Sequence, residues 1–241
     1  MTFFSDNGGC VELSENAGNN FPLRGGKYTS WNGGVFVNAF LSGGYLPPAA
    51  RGTVSLELVS VADYFVTLCV RAGLPLAECT SDPVAEAAGL PPIDGLDFWP
   101  SVVLGEGPGP RAELPVDGST FIARNGTRLF KLMLGDVGGA GWTGPRFPNA
   151  TGTNPMAPSE RCGAGCLFDL LTDGGFSEHE DVAAQNPAVV AAMTARLAEL
   201  RKGFYSNSDR GTDIAPCPKG GDCACFAAAN VWGGFLGPWQ V

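Results

Sequence analysis

The segment FIARNGTRLFKLML, residues 121–134, indicates the fold of the second half of the chain. Two runs rich in aromatic and aliphatic residues, 121–124 and 127–134, flank Asn125-Gly126, a dipeptide that favours two-residue hairpin turns. The segment therefore predicts two antiparallel strands. The many Gly, Pro, Thr and Asn residues at 135–161 then predict a long surface loop.

A further short strand is predicted over 166–171, and a helix follows it. Asn186 in the N-cap position, Pro187 in the first turn and Gly203 as terminator mark the ends of this helix. Its apolar face consists of Val189, Val190, Met193, Leu197 and Leu200. Residues 111–241 are thus predicted to form a small α+β domain, with an antiparallel sheet packed on a C-terminal helix.

The sequence of the first half of the chain predicts part of an α/β sheet domain. TFF at 2–4 stops abruptly at SDNGG, which predicts the end of a buried strand and a sharp turn. Asp6 and Asn7 then lie at a strand's carboxyl end, where ligands of open α/β sheets usually bind. Residues 10–34 predict an irregular loop over that edge. Further short strands are predicted, over 35–41 and 54–59.

The clearest helix of the first half follows Ser60. Ser60 and Asp63 resemble a capping box, and Gly73 supplies a stop. The apolar residues Val61, Phe65, Leu68 and Cys69 share one face of it, which predicts a buried face. The Pro- and Gly-rich stretch 75–110 predicts a connector that ends a first domain over residues 1–110.

Composition excludes some classes of protein. The 241 residues carry a formal net charge of −9 without a cluster of Lys or Arg, so nucleic acid is not expected as a partner. Hydrophobic residues make up 44% of the chain, which supports a buried core. No apolar run is long enough to span a bilayer, and the opening residues MTFFSDNGG show neither the basic region nor the cleavage site of a signal peptide, as is also expected of a truncated chain.

The cysteines and two glycosylation sequons predict an oxidising secretory compartment, extracellular or lysosome-like. Eight cysteines are an even number, and their spacing fits no common zinc site, so disulfides are favoured over metal-bound thiolates. Their pairing is left open, and Cys69 has the alternative of being simply buried. The sequons begin at Asn125 and Asn149.

The turn at Asp6 and Asn7 offers a carboxylate and an amide oxygen, both suited to Ca²⁺ or Mg²⁺, although either ion wants about six oxygens. FFSDNGG at 3–9, followed by GNNFPLRGGKYTSWNGGV at 18–35, resembles the type I sulfatase pattern SDNGG and NxPLRGxKxxxWEGG. The order and spacing are similar to those of arylsulfatases, most like the arylsulfatase B type.

Four later segments extend the resemblance over nearly the whole chain. They are LVSVADYFVTLCVRAGL at 58–74, IDGLDFWPSV at 93–102, the strand-and-helix ending at 166–200, and WGGFLGPW at 232–239. The resemblance implies the C-terminal part of the alkaline-phosphatase-like sulfatase α/β sheet domain, followed by a small α+β domain.

The family resemblance implies roles for three residues. Asp6 and Asn7 match ligands of a divalent metal, usually Ca²⁺, and Lys27 matches a lysine that contacts the sulfate of the substrate. A cation and an ammonium group both stabilise negative charge on sulfate oxygens as the ester bond breaks. The implied substrate is a sulfate ester, whose identity is left open. Without the resemblance, Lys27 would be an ordinary solvated lysine.

The family's nucleophile is a formylglycine made in a CxPxR or SxPxR motif, and this sequence contains neither motif. We therefore expect a sulfatase fragment that is inactive alone, with an N-terminal half as its missing partner. One alternative is a non-catalytic secreted domain that binds a divalent cation or a sulfated glycan. A third possibility is a subunit that pairs with a separately encoded N-terminal half. Limited proteolysis and the sequence upstream of Met1 separate these hypotheses.

Several residues depart from the family pattern or match it without a catalytic role. Asn32 replaces an acidic residue, Phe36 stands where many members have Arg, and Val61 replaces a common His. Asp63 and Asp94 match family positions, but their settings predict a helix first turn and a turn. His179, the single histidine, lies in SEHED just before the last helix, which favours a surface or capping role.

Overall fold

A computed structural model describes residues 1–11, 18–139, 141–142, 160–172, 175–204 and 222–237. It contains two compact units, Met1–Lys202 and Gly203–Val241. These are packing units, and the division into sulfatase subdomains at residues 110 and 111 stays a prediction.

The strands and helices of the described residues are numbered in chain order. The strands are β1 (Thr2–Phe4), β2 (Ala39–Leu41), β3 (Glu113–Pro115), β4 (Thr120–Asn125), β5 (Arg128–Val137) and β6 (Glu160–Asp169). The α-helices are α1 (Asn32–Val35), α2 (Val61–Arg71), α3 (Leu76–Cys79), α4 (Pro83–Ala87), α5 (Pro187–Leu200) and α6 (Cys223–Asn230). Short 3-10 turns cover Pro48–Ala50, Gly175–Ser177 and Arg201–Gly203, and a π-helical turn covers Trp99–Val103.

The predicted hairpin is confirmed, with its turn one residue further along. Asn125 still pairs with Arg128 in the β4–β5 ladder, so the loop residues are Gly126 and Thr127. Gly126 has a φ of +62°, a conformation that glycine adopts without the steric penalty of a β-carbon. A glycine with positive φ at the first loop position suits the right-handed twist of the two strands.

The four strands β3, β4, β5 and β6 form one antiparallel sheet in sequence order, and both of its faces are covered. Helix α5 covers one face, as predicted. The core on that side contains Phe121, Phe130, Leu132, Leu167, Met193 and Leu197. The other face packs on Trp31, with Ile122, Leu129, Met133, Val137, Cys162, Cys166, Phe168 and Leu170. The Trp31 segment is therefore part of the core of the sheet.

Strand β6 begins at Glu160, six residues before the predicted start, and most of the predicted surface loop before it lies outside the described residues. A disulfide joins Cys162 to Cys166 within this strand, and their Cα atoms are 4.9 Å apart. A regular strand would separate them by about 13 Å. The register against β5 shifts between Met133 and Gly135, and this irregularity accommodates the disulfide.

Helix α5 begins at Pro187, directly after Asn186, as predicted. The Asn186 side chain makes no cap hydrogen bond, because its amide nitrogen donates to Val182 O and its Oδ1 accepts from Arg128. The helix ends at Leu200, followed by a 3-10 turn that includes Gly203.

The first half contains less sheet than predicted. Strand β1 is present but pairs antiparallel with β2, and its residues Phe3 and Phe4 are exposed rather than buried. Only the end of the predicted strand over 35–41 forms, as β2. The predicted strand over 54–59 is wrong. Val54 and Leu56 are exposed, and no strand within the described ranges pairs with their segment. A favourable β propensity does not form a strand without such a partner.

Helix α2 has the predicted capping box. Ser60 accepts from the first turn, and the Asp63 carboxylate accepts from Ser60 N at 2.7 Å. Asp63 is fully buried and also accepts from Leu96 N and from Arg111, which fits the predicted first-turn role. Arg111 also donates to Asp94 O at 2.6 Å, which ties the turn around Asp94 to the same ion pair.

The apolar face predicted for α2 is exposed, which corrects the expectation that it is buried. Val61, Phe65 and Leu68 are all largely exposed, whereas Val66 and Thr67 on the opposite side are buried. Thr67 Oγ1 accepts from Phe98 N, so the buried side packs on the segment before the π-helical turn.

The cysteines largely form disulfides. Cys69 is joined to Cys79 between α2 and α3, so the alternative of a free buried Cys69 is wrong. Cys223 is also disulfide-bonded, and Cys217 lies outside the described residues. Cys10 and Cys225 are free, which corrects the expectation that Cys225 is paired.

In the second unit, the Asp222 carboxylate accepts a hydrogen bond from Cys225 N at the start of α6. This bond holds the pKa of Asp222 below its ordinary value. Across the parts of the chain that the structure describes, no helix combines the length and apolarity that crossing a membrane requires.

Candidate functional site

The predicted site is built on contacts between glycine backbones. The turn after β1 lies directly against the segment that contains Lys27 and α1. Gly8 N donates to Gly34 O at 2.9 Å, and Lys27 N donates to Gly9 O at 3.0 Å. A β-carbon on Gly8 would overlap Gly33 O. The two segments therefore approach each other more closely than any residue other than glycine would allow.

The Asn20 side chain fixes the same contact. Its Oδ1 accepts from Gly9 N at 2.8 Å, and its Nδ2 donates to Gly9 O at 2.9 Å and to Gly25 O at 3.0 Å. One amide therefore satisfies three backbone groups. Sequence reasoning did not assign Asn20 a role, although its two-sided hydrogen bonding is what an amide in a glycine-rich loop offers.

The three predicted site residues lie around this contact. Asp6 is exposed, and Asn7 and Lys27 are partly exposed. The Asn7 carbonyl accepts from Ser5 Oγ at 2.8 Å, which shapes the turn. The Lys27 ammonium lies 5.3 Å from the ring centroid of Tyr28, an exposed residue with a φ of +72°. The structure thus places Gly9, two residues after Asn7, in backbone contact with Lys27, and it leaves Asp6, Asn7 and Lys27 at least partly accessible to solvent.

The donor chemistry at Asp6 and Asn7 fits a hard cation in part. Both side chains offer oxygen atoms, which Ca²⁺ and Mg²⁺ prefer. Two side chains supply fewer than the roughly six oxygens that either ion needs. No group of three or more His, Cys, Asp or Glu residues suited to a metal occurs in the described ranges. The remaining oxygens would have to come from main-chain carbonyls, water or other side chains.

Arg24 anchors the Lys27 segment to the sheet. Its guanidinium lies 3.8 Å from the Trp31 ring centroid and 4.3 Å from that of Trp142. It also pairs with Glu160 at 2.6 Å and donates to Glu178 O at 3.3 Å. A cation between two indole faces with a carboxylate partner is a well-satisfied buried charge. Arg24 is thereby assigned to packing rather than to catalysis.

A buried ion pair lies beneath Asn32. The Lys131 ammonium contacts Glu178 Oε1 at 2.7 Å, and neither side chain is exposed to solvent. Lys131 also donates to Asn32 Oδ1 at 2.9 Å, and Asn32 N donates to Glu178 Oε2 at 2.8 Å. Asn32 thus bridges the pair.

Burial opposes both charges of this pair. It lowers the pKa of Lys131 and raises the pKa of Glu178, and the attraction between the two groups counteracts each shift. Asn32 stands where the family pattern has an acidic residue. Lys131 still has a carboxylate partner, because Glu178 supplies one. Sequence reasoning missed both Lys131 and Glu178, and its only signal was the departure at Asn32.

His179 lies at the surface beside Trp142, as predicted. The two rings stack with centroids 4.3 Å apart and planes 10° apart, and the Trp142 indole donates to Ser177 O at 2.6 Å. Phe36, the other large departure, is half-exposed and stacks on Phe176 at 5.0 Å.

Comparisons with known proteins agree with the motifs. No protein-family model matches the chain. Arylsulfatase J of Mus musculus is 28% identical over 227 aligned residues, which cover 84% of this chain and 35% of the mouse protein. A sulfatase of Bacteroides thetaiotaomicron, solved in work on the metabolism of multiple glycosaminoglycans, superposes with a TM-score of 0.52. It is 18% identical and covers 84% of this chain and 38% of that one, so this likeness shows the fold.

This chain therefore spans little more than a third of the length of these two relatives. The mixed α/β architecture, with an antiparallel sheet packed on a helix, is the one predicted for the C-terminal region of a sulfatase. The chain is thus similar to sulfatases over 84% of its length, and this similarity supports the resemblance to the C-terminal portion of a sulfatase.

Proposed function

We propose that this chain supplies one wall of a sulfuric ester hydrolase site of the arylsulfatase type. Asp6 and Asn7 would hold a divalent cation, Ca²⁺ or Mg²⁺, and Lys27 would contact the sulfate group of the substrate. The observation that carries the proposal is the glycine contact, in which Gly9 O accepts from Lys27 N at 3.0 Å. This contact supports the proposal, because it joins the segment that follows Asp6 and Asn7 to the segment that contains Lys27.

Lys27 would act through its charge. An ammonium group next to the sulfate stabilises the negative charge that develops on the sulfate oxygens and the leaving oxygen. A bound divalent cation supplies positive charge to the same oxygens. Asp6 and Asn7 would orient that charge, and the glycine contact limits how far their turn can move from Lys27.

The nucleophile would come from a segment outside this sequence, because its 241 residues contain neither CxPxR nor SxPxR. The 241-residue chain alone is therefore proposed to be inactive. Passage through an oxidising secretory compartment is supported by the Cys69–Cys79 and Cys162–Cys166 disulfides. The exposed Asn125 in the β4–β5 hairpin is accessible for glycosylation.

Calcium titration of the purified chain, followed by NMR, tests the metal assignment without requiring activity. Two side-chain ligands predict weak binding, with a Kd of about 10⁻³ M or weaker. Asp6→Ala should abolish this binding, and Asp136→Ala, at an exposed acidic residue of the sheet, should not. Unchanged binding by Asp6→Ala would remove the assignment. A Kd below about 10⁻⁵ M would instead favour the non-catalytic cation-binding alternative.

Turnover of an aryl sulfate ester tests the catalytic role of Lys27. The chain alone should show none. In a longer protein that contains the nucleophile motif, Lys27→Ala should lower kcat by about 10²-fold or more, the usual effect of removing one group that stabilises an oxyanion. Lys202→Ala removes an exposed lysine elsewhere and serves as the control. Full activity of Lys27→Ala would contradict the proposal.

A further inference from the structure

Lys27 lies in a loop whose two ends are joined to each other. Gly33 N donates to Arg24 O at 2.7 Å, so residues 24–33 form a closed turn that we call the Lys27 loop. Within it, the backbone N–H of Lys27 donates to Gly9 O at 3.0 Å. A functional side chain on a loop is placed only as accurately as the base of that loop is held. The contacts made by the two ends therefore decide where the Lys27 ammonium can lie.

One residue, Glu178, contacts both ends of the Lys27 loop. Its carbonyl oxygen accepts from the Arg24 guanidinium at 3.3 Å, and its carboxylate oxygen Oε2 accepts from Asn32 N at 2.8 Å. The neighbouring Phe176 carbonyl accepts from the Asn32 side chain at 2.9 Å. The 3-10 turn before Glu178 and Glu178 itself thus hold the loop at its beginning and at its end.

Glu178 has a conformation that is unusual for a residue with a side chain. Its φ is +55°, in the left-handed region that favours glycine. It is also 1% exposed, and its carboxylate lies 2.7 Å from the buried Lys131 ammonium. A strained backbone and a buried charge both cost free energy, and they persist where the surrounding structure requires them. What these two features achieve here is the double contact with the Lys27 loop.

We propose that Glu178 is a positioning residue for Lys27. Paired with Lys131, it holds both ends of the Lys27 loop and thereby sets the place of the ammonium group that would contact sulfate. A misplacement of a reacting group by about 1 Å can cost about 10²-fold in rate, so a buried residue that fixes the loop matters to the chemistry. The role in sulfate contact rests on the proposed function, whereas the hold on the loop does not.

Amide hydrogen exchange of the purified 241-residue chain, followed by NMR, tests the hold on the loop. Glu178→Gln keeps the shape of the side chain and removes its charge. The Lys27 amide should then exchange about tenfold faster relative to the Arg124 amide, as expected when a hydrogen bond to a charged group becomes one to a neutral group. Arg124 N donates to Ala112 O beside the four-stranded sheet and reports unfolding of that sheet. Equal acceleration of both amides would show a general structural role and would overturn the inference.

Moving the carboxylate from position 178 to position 32 provides a rescue. Asn32 Oδ1 lies 2.9 Å from Lys131 Nζ, so Asn32→Asp places a carboxylate beside the same ammonium. Combined with Glu178→Gln, it gives Lys131 one carboxylate again and should remove most of the tenfold difference. If Glu178→Gln alone does not fold, the double variant should still fold with a Lys27-to-Arg124 exchange ratio near that of the wild type. A double variant that does not recover would overturn the inference.

A second buried carboxylate provides the matched control. Asp63 is fully buried and pairs with Arg111, and neither residue contacts the Lys27 loop through a hydrogen bond or ion pair described for them. Asp63→Asn should therefore leave the ratio of Lys27 to Arg124 exchange unchanged. An increase equal to that of Glu178→Gln would mean that any loss of buried charge loosens the loop, and would overturn the specific role of Glu178.

Titration with inorganic sulfate separates this inference from the proposed function. The side-chain resonances of Lys27 should shift as sulfate binds to the wild-type chain, and Glu178→Gln should weaken this binding about tenfold if the loop is displaced. If Lys27 responds to sulfate in no variant, the proposed sulfate contact is removed and the hold on the loop stands on the exchange ratios. A normal sulfate response with an unchanged exchange ratio in Glu178→Gln would do the reverse.

Discussion

The two halves of the chain bury their apolar residues to different extents. In the four-stranded sheet, Leu132, Met133 and Leu167 are fully buried because the sheet has α5 on one face and the Trp31 segment on the other. In the first half, Phe3 and Phe65 are about half exposed although their sequence is equally apolar. An apolar pattern therefore specifies a face that needs a partner, and the partner decides whether the face is buried.

The largest expected effect is at the buried ion pair. Lys131→Met leaves the Glu178 carboxylate buried without its cation, which should lower the free energy of unfolding by about 3–5 kcal/mol. Urea unfolding followed by circular dichroism measures this. The double variant Lys131→Met, Glu178→Gln removes both charges and should recover a large part of the loss. A double variant as unstable as the single one would show that packing, not charge, causes the effect.

A matched pair of truncations compares the two halves directly. Leu132→Ala opens a cavity in the covered sheet and should cost about 2–5 kcal/mol. Phe65→Ala removes a larger side chain but should change the free energy of unfolding by less than about 0.5 kcal/mol, because Phe65 is 60% exposed. Equal losses of stability for the two variants in thermal or urea unfolding would mean that other residues of the chain already cover Phe65.

The capping box of α2 should give an intermediate effect. Ser60→Ala removes the side chain that accepts from Ala62 N and should cost about 0.5–2 kcal/mol. Ser60→Gly, which keeps the backbone cap, should cost only a few tenths of a kcal/mol. If both variants unfold like the wild type, the first half is too loosely packed for helix α2 to contribute to its stability.

The smallest expected effect is a change in pH dependence at Asp117. Burial raises the pKa of this carboxyl, but bonds from Ser30, Ser119 and Thr120 outweigh burial, so the pKa lies below its ordinary value of 3.8. The stabilisation is therefore present above pH 3.8 and is lost as the pH falls through the lower folded pKa. Asp117→Asn should lower the free energy of unfolding near neutral pH, and that free energy should then fall less steeply below pH 3.8. Asp136→Asn should cause neither change. A curve like the wild type's would refute the role of Asp117.

Elements with a local signal were predictable from sequence. The Ser60–Asp63 capping box, the β4–β5 hairpin and the start of α5 each depend on residues a few positions apart, and all three are confirmed. The strand over 54–59 failed because strand formation needs a pairing partner that no local pattern reveals.

The candidate site was only partly accessible to sequence reasoning. The family resemblance pointed to Asp6, Asn7 and Lys27, and their roles stay predictions. The network below them joins Asn32 to Lys131, 99 residues away, and to Glu178, 146 residues away. No periodicity links positions so distant in the chain, and only the folded sheet brings them together.

The close approach of Gly8 to Gly33 has a consequence for how this region can change. Its shape is set by main-chain atoms, whose dimensions are the same whichever side chains surround them. Substitutions nearby can alter charge or bulk at the rim, for example at the exposed Tyr28, without moving the two turns relative to each other. Diversification of ligand preference is therefore expected at the rim, while the glycine positions tolerate no replacement.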